Sequence, residues 1–65
     1  MAKHVDQLSE LIAFEEKMMT ELPLAICREH IERVKFFYIE RHGLEAAKRI
    51  HRAMAAKLQS RRAPR

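Results

Sequence analysis

Apolar residues recur at the three- and four-residue spacing of an α-helix in three successive segments of the chain. This spacing predicts helices over residues 5–20, 22–41 and 44–58. The fold is therefore expected to be all-α, either a small three-helix bundle or a helical hairpin with a kinked first arm. Residues 1–59 are predicted to form a single domain, and residues 60–65 a flexible basic tail.

Each predicted helix has an apolar face. The face of the first helix consists of Val5, Leu8, Leu11, Ile12, Met18, Met19 and Leu22. The seam of the second helix consists of Leu24, Cys27, Ile31, Val34 and Tyr38. The face of the third helix consists of Ala46, Ala47, Ile50, Met54 and Leu58. The second helix also carries Ala25, Phe36 and Ile39 on its other side, so it is either central or has a second interface for a protein partner.

Two residues mark the predicted helix ends. Pro23 either separates two helices, with Thr20 as the N-cap of the second, or kinks one continuous helix. Gly43 is the only glycine of the chain, and it fits the left-handed C′ position after a helix, where the absence of a Cβ removes the steric cost. In this interpretation Leu44 contacts Ile39 across the helix end, as in a Schellman motif.

The small size of the chain limits its stability. A domain of 65 residues buries only about 60% of the surface of its unfolded chain, and it usually needs a disulfide, a metal or self-association. Cys27 is the only cysteine, which excludes an internal disulfide and is typical of a reducing compartment. We therefore expect a soluble, cytoplasmic homodimer. No apolar run approaches the ~18 residues of a membrane helix, and the N-terminus reaches Asp6 without the apolar stretch of a signal peptide.

Charge is distributed unevenly along the chain. Residues 1–22 contain two lysines and five acidic residues, a net charge of −3, whereas residues 44–65 contain seven basic residues and one acid, a net charge of +6. A basic helix face with a basic tail can neutralise phosphates, but it can also be a solvated face whose cations favour a helix C-terminus. The candidate nucleic-acid-binding residues are Lys48, Arg49, Arg52, Lys57, Arg61 and Arg62. Aromatic residues for base stacking are missing among them, so binding should read the backbone more than the sequence.

Three residues with ionisable side chains lie on or beside the predicted apolar faces. Glu15 must pair, neutralise or reach an opening, since an unpaired buried carboxylate is costly; a structural pair with an Arg or His of another helix is favoured over a proton or metal site. Cys27 and His30 share a helix face. Their spacing is not that of known zinc modules, so we expect a core histidine beside a buried thiol and no metal or other cofactor.

No set of residues suggests catalysis. The sequence has no glycine-rich phosphate loop, and neither of its two serines is next to an obvious base. The paired acids Glu15 and Glu16 point to different helix faces, so they do not form a general acid/base pair. We therefore expect a protein that binds and is not an enzyme.

Residues 30–49 resemble the C-terminal helical region of bacterial tRNA-dihydrouridine synthases. The matching residues are His30, Phe37, Tyr38, Gly43, Ala47, Lys48 and Arg49. The stretch 22–25 is also of the kind found upstream in that family, at a different distance. The chain departs from the pattern after the basic pair, where Ile50 replaces a histidine and His51 comes one place late.

The resemblance implies contact with tRNA, with Lys48 and Arg49 as candidate RNA contacts. It does not imply reduction, because the chain cannot hold the flavin-binding barrel that performs it. Together these observations predict a nucleic-acid-binding protein whose ligand is tRNA, another structured RNA or the DNA backbone, with RNA preferred. The alternative is a regulator, an inhibitor or adaptor, that binds an acidic protein partner through the apolar residues Ala25, Phe36 and Ile39.

Overall fold

The computed structural model describes residues 7–62, which form three α-helices and no strand. The helices are α1 (Gln7–Glu21), α2 (Leu24–His42) and α3 (Leu44–Arg62). They pack as a small three-helix bundle, so the fold class is confirmed and the kinked hairpin is wrong. The predicted helix start at Val5 and the last three residues of the predicted tail lie outside the described residues.

The central helix of the bundle is α3. It packs extensively against both α1 and α2, whereas α1 and α2 barely touch each other. The small side chains of Ala46, Ala47 and Ala53 are half-buried or buried, and they allow a neighbouring helix to approach the α3 backbone closely. The two-sided apolarity of α2 therefore does not make it central, and part of its apolar surface stays exposed.

The core is drawn from all three helices. Its buried apolar residues are Met19, Cys27, Ile31, Tyr38, Ala47, Ile50, Met54 and Leu58. These belong to the predicted faces, and the remaining members of those faces mostly pack against the core from its edge. Leu24 is an exception at 44% exposed. It is the first residue of α2, where a helix end leaves the side chain less covered.

Pro23 separates α1 from α2. The ring removes a backbone donor and disfavours a helical conformation for Leu22, so α1 ends there. The Pro23 carbonyl then accepts the first bonds of α2, from the backbone N–H groups of Ile26 at 2.9 Å and Cys27 at 3.0 Å. The prediction that Thr20 caps α2 is wrong: Thr20 lies within α1, and its hydroxyl donates to the Glu16 carbonyl at 3.0 Å.

Gly43 is the whole connection between α2 and α3. Its N–H donates to the Ile39 carbonyl at 3.0 Å, and its own carbonyl accepts from Ala47 at 3.0 Å. One residue therefore ends one helix and begins the next. Its φ of 93° and ψ of 160° fall in a region that is essentially restricted to glycine, so the positive φ is confirmed. Because this ψ lies far from the left-handed helical region, the predicted Schellman motif is wrong.

The third helix is longer than predicted. It continues past Leu58 to Arg62, so residues 60–62 belong to α3. From this last turn the Arg61 guanidinium reaches back to the end of α1. Within the described part of the chain, no helix is long and apolar enough to cross a membrane.

Candidate functional site

A hollow of about 620 Å³ opens between the second half of α2 and the first half of α3. Its lining consists of Lys35, Ile39, Leu44, Ala47, Lys48, His51, Arg52 and Ala55. Four of these eight residues are apolar, and three are lysine or arginine. The hollow therefore presents positive charge around a small apolar surface.

A second hollow of about 360 Å³ lies further along the same two helices. Its lining consists of Arg28, Ile31, Glu32, His51, Ala55, Leu58, Gln59 and Arg62. His51 and Ala55 belong to both hollows, so the two form one continuous surface. We call this surface the basic groove; its lysines and arginines are Arg28, Lys35, Lys48, Arg52 and Arg62.

The cations of the basic groove are only weakly neutralised. Glu32 is the one carboxylate in its lining, and it lies 3.9 Å from Lys35. Lys48 lies 4.0 Å from Glu45, whose side chain is 89% exposed. Exposed pairs of this type contribute about 0.3–0.5 kcal/mol and are screened by salt, so an anionic ligand can replace them.

The six residues predicted to bind nucleic acid do not stay together. Lys48, Arg52 and Arg62 line the groove, whereas Arg49 and Lys57 are exposed outside it. Arg61 is directed elsewhere. The fold thus divides a set of residues that the sequence places on one basic segment.

Arg61 is a structural residue of the bundle. One guanidinium nitrogen donates to the Met19 carbonyl at 2.7 Å and to the Leu22 carbonyl, and it lies 3.6 Å from Cys27 Sγ. These carbonyls at the C-terminal end of α1 have no partner within the helix, and they carry partial negative charge. Arg61 therefore caps α1, and its role as a ligand contact stays a prediction.

Arg28 and Lys35 are groove residues that the sequence analysis missed. They lie on α2, seven positions apart, which places them on the same helix face two turns from each other. The overall charge of the second segment is close to neutral, so a count of charge along the sequence does not reveal these two cations. Their seven-residue spacing beside the apolar seam is the sequence signal that could have identified them.

The predicted protein interface is only partly a free surface. Phe36 is 69% exposed and Ala25 is exposed, but Ile39 is half-buried, packs against the core and lines the groove. Cations accompany two of the exposed rings: Lys35 Nζ lies 5.8 Å from the centre of the Phe36 ring, and Arg41 lies 5.0 Å from that of Phe37.

Glu15 is the centre of a buried polar cluster. It is 1% exposed, and its two carboxyl oxygens bond His30 Nε2 at 2.7 Å and the Tyr38 hydroxyl. Burial, followed by the bond to Glu15, raises the pKa of Tyr38 well above its ordinary value. The prediction of a structural pair with an Arg or His of another helix is confirmed.

Cys27 is fully buried, and its thiol contacts the carbonyls of Met19 and Leu22. It does not join His30, which is paired with Glu15. Across residues 7–62, no three His, Cys, Asp or Glu side chains come together as metal ligands. Every buried side-chain nitrogen or oxygen in this range has a hydrogen-bond partner. The cluster is therefore satisfied by the protein itself, and its role in the structure is to hold the helices together.

Comparison of the chain with protein-family models, with curated proteins and with solved structures found no match.

Proposed function

We propose that this protein binds nucleic acid through the basic groove and acts by binding, without catalysing a reaction. The observation that carries the proposal is the convergence of five lysines and arginines from two helices on one groove whose lining holds a single carboxylate. Nucleic acid is the polyanion whose regularly spaced phosphates meet such a row of charges.

The groove is long enough for several phosphates. Lys48 and Arg62 are fourteen residues apart on α3, which corresponds to roughly 21 Å along a helix. Their side chains are flexible and their charges are exposed, so they fit phosphate contacts that position a ligand without reading its sequence. Affinity should then come mainly from counterion release and should fall steeply with salt.

RNA is the preferred ligand in this proposal, in the form of tRNA or another structured RNA. The preference comes from the resemblance of residues 30–49 to a tRNA-contacting helical region. Of its two candidate RNA contacts, Lys48 lines the groove and Arg49 is exposed beside it. The free thiol of Cys27 is consistent with the reducing environment of the cytoplasm, which we include in the proposal.

Two double charge reversals test this function. Lys48→Glu with Arg52→Glu removes two groove cations, while Lys17→Glu with Arg33→Glu makes the same change of net charge at exposed positions of α1 and α2 that do not line the groove. The first pair should lower affinity for labelled tRNA at low salt by at least tenfold more than the second. Equal effects of the two pairs would exclude the groove as the binding surface. Circular dichroism should show unchanged helicity in both.

A protein partner is the second candidate function, in which the chain acts as a regulator. The observation in its favour is the exposure of several large apolar side chains, among them Phe36 at 69%, Phe14 at 54% and Phe37 at 48%. Such residues suit a homodimer or an acidic protein partner. Phe36→Glu should remain folded, since Phe36 is not in the core. Sedimentation that shows a dimer in the wild type and a monomer in this variant would support this second function.

A further inference from the structure

Phe36 is the most exposed large apolar side chain in the described chain, at 69%. It is next to Lys35, which lines the basic groove, and Lys35 Nζ lies 5.8 Å from the centre of its ring. Ile39, one turn further along α2, lines the same hollow. The Phe36 ring is not part of the lining of either hollow; it lies on the exposed side of α2, and the groove cation Lys35 connects it to the groove.

We propose that Phe36 is a stacking platform for an unpaired base, and that the ligand of the basic groove is single-stranded nucleic acid or an unpaired loop. This inference rests on the proposed function and names the class of nucleic acid that the groove binds. The fold supplies the aromatic residue that is missing from the basic third helix, because it brings the edge of α2 beside α3.

The arrangement has the two components that single-strand binding requires. Lys35, Lys48 and Arg52 surround the hollow and contact the phosphates, while an exposed aromatic face beside them takes up a base. In a duplex the faces of the bases are covered by their neighbours, so a ring on a helix surface has no face to stack on. A duplex therefore gains only the phosphate contacts.

The groove fits a base better than the helix of a protein partner. A helix that docks in a groove needs apolar anchors over two turns or more. In the second hollow the large apolar side chains are Ile31 and Leu58, which are 7% and 6% exposed and already belong to the core. Ile39 and Leu44 of the first hollow are the large apolar side chains left for a ligand to contact. This small apolar surface is sufficient for a planar base, because the cations around it contact the phosphates.

Tryptophan fluorescence tests the inference, because the sequence contains no tryptophan. Phe36→Trp places a single reporter at the groove, and Phe14→Trp is the matched control, since Phe14 is 54% exposed on α1 and no groove residue belongs to α1. Each protein is titrated with a short oligouridylate, and in parallel with duplex RNA of the same length, at low and at physiological salt. The oligouridylate should quench the fluorescence of Phe36→Trp and leave that of Phe14→Trp unchanged.

Affinity measurements complete the test. Phe36→Ala should weaken binding of the oligouridylate at least about fivefold and binding of the duplex much less, whereas Phe36→Trp should retain wild-type affinity. If Phe36→Ala binds both RNAs as the wild type does, while Lys48→Glu with Arg52→Glu still abolishes binding, stacking is overturned and the proposed function stands. Absence of binding to either RNA at low salt overturns both.

An acidic peptide tests the remaining possibility, which is that the groove binds an acidic protein and not nucleic acid. Polyglutamate of similar charge should bind the Phe36→Trp protein more weakly than the oligouridylate and without quenching its fluorescence. If polyglutamate binds at least as tightly and produces the fluorescence change while RNA does not, the groove is a site for an acidic protein, and the inference is overturned.

Discussion

His30 Nε2 lies 2.7 Å from Glu15 Oε1, and this pair joins α1 to α2 inside a bundle in which these two helices barely touch. Tyr38 donates to the other oxygen of the same carboxyl group. Polar side chains thus connect the two outer helices directly, while both helices also pack against α3. The two kinds of contact predict different responses to mutation.

Glu15→Gln should destabilise the protein by about 1–3 kcal/mol, because the amide has one acceptor oxygen where the carboxyl group has two, and its NH2 group can bond His30 only if that ring adopts the tautomer that accepts at Nε2. Urea unfolding followed by circular dichroism measures this loss. Glu10→Gln is the matched control on the exposed side of α1, and it should change the free energy of unfolding by less than about 0.5 kcal/mol. Equal effects of the two changes would contradict a structural role for the cluster.

Because of Tyr38, the stability of the protein should depend on pH in the alkaline range. Its pKa is raised from 10.0 in the folded protein, so above that pH the folded state keeps a proton that the unfolded state releases. The free energy of unfolding should therefore fall as pH rises above 10.0, by up to about 1.4 kcal/mol per pH unit. Tyr38→Phe should lack this component in unfolding curves measured across the same range. Parallel pH profiles for the two proteins would contradict the assignment.

Gly43→Ala should destabilise the bundle by about 1–3 kcal/mol, since a side chain at this φ and ψ strains the backbone. Apart from Gly43 and its two chain neighbours, no described residue has an atom within 4 Å of the position that the new Cβ would occupy, so the cost reflects backbone conformation and not a clash. Thermal unfolding measures it. A loss below about 0.5 kcal/mol would show that the connection between α2 and α3 can adopt another conformation.

Arg61 and Arg62 are adjacent but should respond in opposite ways. Arg61→Ala removes the cap of α1 and should cost about 1–2 kcal/mol of stability. Arg62→Ala should leave stability within about 0.5 kcal/mol and weaken nucleic-acid binding, because Arg62 lines the groove. Unfolding and binding measured on both variants check this separation. Equal losses of stability would contradict it.

Much of the fold follows from local sequence signals. The apolar spacing predicts the three helices and most of the core, because helical periodicity and burial depend on neighbours along the chain. The positive φ of Gly43 is predicted correctly, since it is a local backbone property, whereas the predicted left-handed ψ is wrong. Glu15 is a charged residue on an apolar helix face, which predicts a partner from another helix. Its spacing along the sequence does not identify this partner as His30.

The errors concern relationships between helices. Thr20 looks like an N-cap, but Pro23 determines where α2 begins, so Thr20 remains inside α1. In the sequence Arg61 belongs to a basic tail, whereas in the structure it contacts the end of α1. The basic groove needs Lys35 of α2 beside α3, and no local pattern specifies which helix is central. These features depend on packing between helices, which a helical wheel of one helix does not show.

The salt dependence of binding tests the central claim most directly. Wild-type protein is titrated with a labelled single-stranded RNA at several salt concentrations, and log Kobs is plotted against log salt. The groove contains five lysines and arginines, so contact of all five with phosphates predicts a slope of about −3.5 on single strands. The slope should become less steep by about 1.4 in the protein with both Lys48→Glu and Arg52→Glu. Binding that does not respond to salt, or no binding at low salt, would contradict the assignment of the groove as a nucleic-acid site.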